Sequence, residues 1–255
     1  MGRTRIEEKT SALSVAAPAN WKTLGHILLM AVLPMALLGH FKPEVTQFWQ
    51  WLITLWANAL ELSIKEHFPH IGNDFSWEVV KDGSVAPSDA LLWLTLFTTV
   101  IIYITSYFFH DKYFPLKIIV RALCLIQVTA VVYFFAFPAS FPYSVTSHIT
   151  SLLKVGFYYM MAIAPMLAVG LGILRIPPLQ RYAAIVGVLT YFSVMLPHKA
   201  LLHALILEST SVLFMPILFL CFGSLVDLMI FISLYAWLVS LTPKTLTLAV
   251  TKESA

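Results

Sequence analysis

Charge is what this chain has least of. Asp, Glu, Lys and Arg make up 11% of its 255 residues, against about 25% in a soluble domain. That is too little to coat a water-facing surface, which argues against an ordinary soluble fold. Cysteine is scarce as well. Cys124 and Cys221 are the only two, and both sit inside apolar runs, so they read as small buried hydrophobes rather than a disulfide. The net charge of +3 is too small to argue for nucleic acid, and none is expected as a partner. Gly170-Leu-Gly172 has no surrounding phosphate-loop pattern and carries no nucleotide signal. No repeat, low-complexity tract, catalytic motif or cofactor motif stands out, and no cofactor is expected.

In place of charge there are long apolar runs. From Asp89 to Thr242 the chain is almost continuously apolar, its clearest interruption being the segment from Arg175 through Pro177-Pro178 to Arg181. Blocks such as Ala90 to Phe109 and Ile118 to Phe137 have the length of about 20 residues that a helix needs to cross a bilayer core. The expected fold is all-α: a polytopic transmembrane helical bundle of about six spans, with a seventh left open. An interfacial amphipathic helix and a small extracytoplasmic loop or hairpin complete it. Residues 1–22 read as a cytoplasmic tail and 23–39 as a signal-anchor span that Pro34 should kink. Cleavage after Gly39 would put Leu37 where a small residue is needed, so the anchor is expected to stay uncleaved. Residues 40–88 read as extracytoplasmic, 89–242 as the bundle and 243–255 as a C-terminal tail.

Within the extracytoplasmic part, Gln47, Gln50, Thr54, Asn58, Glu61 and Lys65 recur every three or four residues. They draw one polar stripe down a helix from Val45 to Lys65. Trp49, Trp51 and Trp56 lie among its apolar positions. Tryptophan suits the headgroup boundary, where the ring is buried and the indole N–H stays wet, so these three are expected to be interfacial anchors. After it, Asp74 to Val80 alternates and Lys81-Asp-Gly83 reads as a turn, giving either a small hairpin or a packed loop.

The later spans are Ala90–Phe109, Ile118–Phe137, roughly Ile149–Leu174, and Tyr182–Leu196. The stretch Ala200–Leu241 is too long for one crossing. Pro216 and Gly223-Ser224 divide it, either into an interfacial helix (Leu201–Phe214) and a crossing helix (Ile217–Leu241), or into two crossings with a turn at Gly223. With six crossings and the N-terminus inside, eleven Lys and Arg fall on the cytoplasmic side against five outside. That is the bias expected of the cytoplasmic side of a bacterial inner membrane. Seven crossings would give nine against seven.

In this topology six of the eight histidines face outward: His40, His67, His70, His148, His198 and His203. Histidine binds metals and moves protons near neutral pH. A functional reading gathers His198, Lys199, His203 and Glu208 into an outer polar site, with His67 and His70 nearby. The alternative is that these rings are simply tolerated where water is close. His198 and His203 are five apart, whereas a metal-binding pair on one helix face is three or four apart, so no metal is expected. Asp227 is the sharper anomaly, since a carboxylate deep in lipid costs at least about 2.5 kcal/mol. It is either an ion or proton site, or a hydrogen-bonded acid joining helices through Ser224, Gln127 or Arg121. With a turn at Gly223 it would only be a boundary residue.

The layout of short anchor, outer amphipathic helix and later spans suggests a non-enzymatic accessory subunit of a bacterial envelope assembly. It would be embedded in the lipid bilayer and held by a membrane-protein partner or a second copy of itself. Two further expectations are a small ion- or proton-coupled transporter using Asp227, and an outer-face enzyme using His198, His203 and Glu208.

Overall fold

The computed structural model describes residues 21–59, 87–138, 140–141, 144–174 and 176–253, with side chains, apart from that of Asp111, as far as Ser240. Among these residues the protein is all-helical. In chain order the helices are α1 (Trp21–His40), α2 (Lys42–Ala59), α3 (Asp89–Thr105), α4 (Phe114–Ala136), α5 (Val145–Gly172), α6 (Pro178–Ser209) and α7 (Val226–Glu253). Between α6 and α7 run a 3-10 turn (Val212–Phe214), a single α-turn (Met215–Ile217) and a π-helical segment (Leu218–Leu225). Six stretches are long and apolar enough to cross a membrane: Trp21–His40, Asp89–Phe108, Phe114–Ala136, Val145–Gly172, Pro178–Ser209 and Val212–Ser240. The protein is thus a multi-pass helical membrane protein whose apolar exterior meets lipid. Residues 1–20, the proposed hairpin, and Glu61, Lys65, Glu66, His67 and His70 lie outside the described residues.

Two expectations about the last third are corrected. The chain does not break near Pro197, and no separate Leu201–Phe214 helix exists. Instead α6 runs through Pro197 to Ser209. Proline deprives the carbonyl four residues earlier of its helical partner, which here is Ser193. The indole N–H of Trp49 donates to that Ser193 carbonyl at 2.8 Å, so the helix continues without an orphaned acceptor. The real break is Ser209-Thr210-Ser211. Ser209 and Thr210 hydroxyls donate to the Ile206 carbonyl at 3.1 and 2.6 Å. The Ser211 hydroxyl then accepts from the Leu213 N–H at 3.3 Å and caps the Val212–Phe214 turn. Short hydroxylated side chains thus end one helix and start the next by offering the backbone local partners. At Gly223 there is no turn either. The helix widens into π geometry, with the Val226 N–H reaching the Cys221 carbonyl, and Val212–Ser240 remains one stretch.

The chain forms two compact units. The first takes residues up to Trp49, Gly156–Met195 and Leu228 onward. Its core includes Met30, Trp49, Met160, Ile163, Leu167, Leu171, Ile185 and Phe192. Two glycines allow close approach there: a Cβ on Gly170 would come within 2.7 Å of the Tyr235 ring, and one on Gly172 would collide with Ile27. Gly187, by contrast, has nothing within 4 Å of where its Cβ would stand. Arg181 is buried and donates to the Leu174 carbonyl at 2.6 Å, tying the end of α5 to the start of α6.

The second unit takes Gln50–Val155 and Leu196–Asp227. Leu92 of α3, Val131 and Phe134 of α4, Leu207 of α6, and Leu213 and Met215 beyond the break form its apolar cluster. Ser88 caps α3 by accepting from the Leu91 N–H. Pro115, in the first turn of α4, stands where a missing N–H costs nothing.

Candidate functional site

A column of polar side chains runs through the second unit. Lys199 and His203 are four residues apart on α6, hence on one face with Cβ atoms about 6 Å apart. Lys199 forms an ion pair with Asp227, and its ammonium also donates to the Gly223 carbonyl at 3.3 Å. The two side chains are only 14% and 10% exposed. The Gly223 carbonyl belongs to the π-helical segment. Widening the helix shifts carbonyls out of the usual i−4 pairing, and such segments recur at functional sites. Gly223 is buried, and a Cβ there would press on Leu152 at 3.2 Å.

One helical turn along α6, His203 meets His148, which stands in the first turn of α5. Nε2 of His148 lies 3.2 Å from Nδ1 of His203, one ring donating and the other accepting. The rings are stacked at 5.5 Å with planes 23° apart, and Phe219 lies edge-on against His148. Both histidines are buried. The Nε2 of His203 has no hydrogen-bond partner of ordinary geometry, although the Phe222 main chain lies close enough to influence the ring.

Helix geometry sets the levels along α6. At 1.5 Å per residue, His203 is about 9 Å and Lys199 about 15 Å from the helix end at Ser209. Asp227 is near the middle of the 29-residue stretch Val212–Ser240. The column therefore starts near one end of the spans, at the histidines, and reaches mid-span at Asp227.

The residues singled out from sequence divide between this column and other places. Asp227, Lys199 and His203 belong to it. Asp227 is joined to Lys199, not to Ser224, Gln127 or Arg121. Gln127 donates to the Leu213 carbonyl at 3.4 Å. Arg121 donates to Ser106 at 3.0 Å and lies 3.9 Å over the Tyr107 ring. His198 points elsewhere: the Trp56 indole N–H donates to its Nε2 at 2.9 Å. Glu208 is exposed in the last turn of α6, so the trio of His198, His203 and Glu208 is not brought together. Trp51 and Trp56 are 59% and 40% exposed, whereas Trp49 is fully buried against Ser193 and Phe157. Among the described residues, no three His, Cys, Asp or Glu side chains converge as a metal site would require.

His148 completes the column, and the two pairings, His148 with His203 and Lys199 with Asp227, are what the residues alone do not give. The spacing Lys199-x-x-x-His203 was a usable signal, because four residues return to the same helix face. No family model, curated protein or solved structure matches this chain, so any functional reading rests on the column's own chemistry.

Proposed function

We propose that this protein is a small ion- or proton-coupled transporter, with Lys199, Asp227, His148 and His203 as its polar path. The observation that carries this reading is the grouping of four ionisable side chains inside apolar spans. Ionisable groups within membrane helices are expensive and mark ion pathways and proton relays when they pair with one another. A pair needed only to glue helices would not require two buried imidazoles one turn away. The proposal takes the N-terminus as cytoplasmic, on a bias of basic residues that is eleven to four once Lys199 is placed within its span, and the host as a bacterial cytoplasmic membrane, on the layout of its spans.

The test is coupled flux in proteoliposomes containing the full-length protein. Asp227→Asn should abolish flux, but it also leaves Lys199 buried without its partner and can lower stability. The decisive variant is therefore Lys199→Met with Asp227→Leu, which removes both charges together. A folded double variant without flux supports the transporter. A folded double variant with full flux reduces the pair to helix packing and rejects it.

A second reading, the accessory subunit of an envelope assembly, draws on α2. This 18-residue helix is not among the six candidate spans, and it keeps Trp51 and Trp56 exposed, a face that a protein partner could cover. A stoichiometric partner retained in mild detergent and lost on Trp51→Ala would favour it. A monodisperse, flux-active protein without a partner would remove it.

A further inference from the structure

Resting on that reading, we infer that the transported ion is the proton, taken up at the His148–His203 pair and handed through Lys199 to Asp227. The donor set argues for this choice. Sodium, potassium and other hard cations take oxygen ligands. The carboxylate that could supply them is already met by the Lys199 ammonium, and so is the Gly223 carbonyl. The remaining members of the column are imidazoles. Two rings joined nitrogen to nitrogen at 3.2 Å share one proton, and the buried Nε2 of His203, which has the Phe222 main chain beside it but no bond of ordinary geometry, can take another or pass it on.

The order along the helices gives the path a direction. The histidine pair lies near the end of its helices, Lys199 one turn further in, and Asp227 at mid-span. The groups facing His203 are His148 from α5, Lys199 on its own helix and the Phe222 main chain from the π-helical segment. Glu208 is exposed beyond it, and His198 is engaged by Trp56.

The transfer balances in two moves. The Lys199 ammonium gives a proton to the Asp227 carboxylate, breaking one N–H bond and forming one O–H bond. Neutral Lys199 then takes the proton carried by the imidazolium of the pair. The net change is one proton moved from the histidines to Asp227, with Lys199 restored to its charged form. Protonated Asp227 no longer pairs as an anion, which frees its side to release the proton onward.

The experiment uses the full-length protein in proteoliposomes under an imposed membrane potential. A trapped pH indicator reads proton influx, and radiolabelled sodium is measured in parallel. The expected result is acidification without sodium uptake, lowered about a hundredfold by His203→Gln and by His148→Gln, the scale of losing a positioned proton carrier. Added imidazole should restore flux in His203→Ala. Sodium uptake that Asp227→Asn abolishes, with no acidification, would overturn the proton assignment and leave the transporter reading standing. Acidification unchanged in both folded histidine variants would overturn the relay. If those variants do not fold, the ion selectivity of the unaltered protein still decides. Neither ion moving would defeat the transporter reading, and this inference with it.

Discussion

The two units use polar side chains for different ends. In the first, Trp49, Arg181 and Tyr235 each donate to a main-chain carbonyl, of Ser193, Leu174 and Gly170 respectively. These bonds serve the backbone where a proline, a helix end or a close glycine approach leaves an acceptor needing a partner. In the second, polar side chains also pair with one another: His148 with His203, Lys199 with Asp227, Trp56 with His198, and Arg121 with Ser106. A backbone acceptor must be satisfied wherever lipid excludes water, so the first pattern follows from folding alone. Side-chain pairs have no such necessity, because both partners could be replaced by apolar residues. The two pairs of ionisable side chains described above lie in the second unit, and on the proposed reading they set a site apart from a scaffold.

The largest expected effect breaks that contrast at its strongest point. Removing one member of the buried ion pair, by Lys199→Met or Asp227→Asn, should cost about 3–5 kcal/mol, read by denaturant unfolding in detergent. Lys199→Met combined with Asp227→Leu should recover most of this while flux stays lost. Equal instability in single and double variants would mean that the pair is as structural as the contacts of the first unit.

A smaller effect is expected from the scaffold side. Gly172→Leu drives a side chain into Ile27 and should destabilise by about 1–3 kcal/mol through overpacking. Ile27→Ala should relieve much of it, and flux per folded molecule should not change in either variant. Loss of flux in a folded Gly172→Leu protein would erase the functional distinction between the units.

Trp49→Phe sharpens the scaffold half further. It strips the Ser193 carbonyl of its donor and should cost about 1–3 kcal/mol, the penalty for an unsatisfied buried acceptor. With Pro197→Ala in the background, the N–H restored at position 197 can bond Ser193 within the helix, and the cost of Trp49→Phe should largely disappear. Thermal melts of the four proteins in the cycle provide the check, and additive losses would refute the account of how α6 survives its proline.

Trp49 also shows how far the residues spoke for themselves. The helical membrane class and six spans were legible, because length and apolarity are properties of a segment alone. The position of the break was not. Proline is the strongest local stop signal, and the Ser193 acceptor that lets α6 pass it is satisfied by a residue 144 positions away in sequence. A break at Pro197 would leave Lys199 in a connector, outside the spans and apart from Asp227; the unbroken α6 brings the two together. Half of the column was still open to reading, since Lys199 and His203 share a face by spacing. His148 was not, because its pairing depends on the register between α5 and α6, which no local pattern encodes.

The smallest predicted effect concerns that break directly. Ser211 is fully buried and caps through the Leu213 N–H, whereas Ser88 makes the same kind of bond at the exposed start of α3. Losing an N-cap hydroxyl costs about 0.5–2 kcal/mol. Water can replace the hydroxyl at Ser88 but has no route to Ser211. Ser88→Ala should therefore fall at the low end of that range and Ser211→Ala at the high end, measured as shifts in unfolding midpoint. Ser211 lies on the connection that sets how α6 meets the π-helical segment, so Ser211→Ala should also lower flux modestly, while Ser88→Ala leaves it unchanged. Equal losses of stability for the two would show that water reaches the break, and the low-dielectric setting assumed for Lys199 and Asp227 would then have to be drawn deeper in the span.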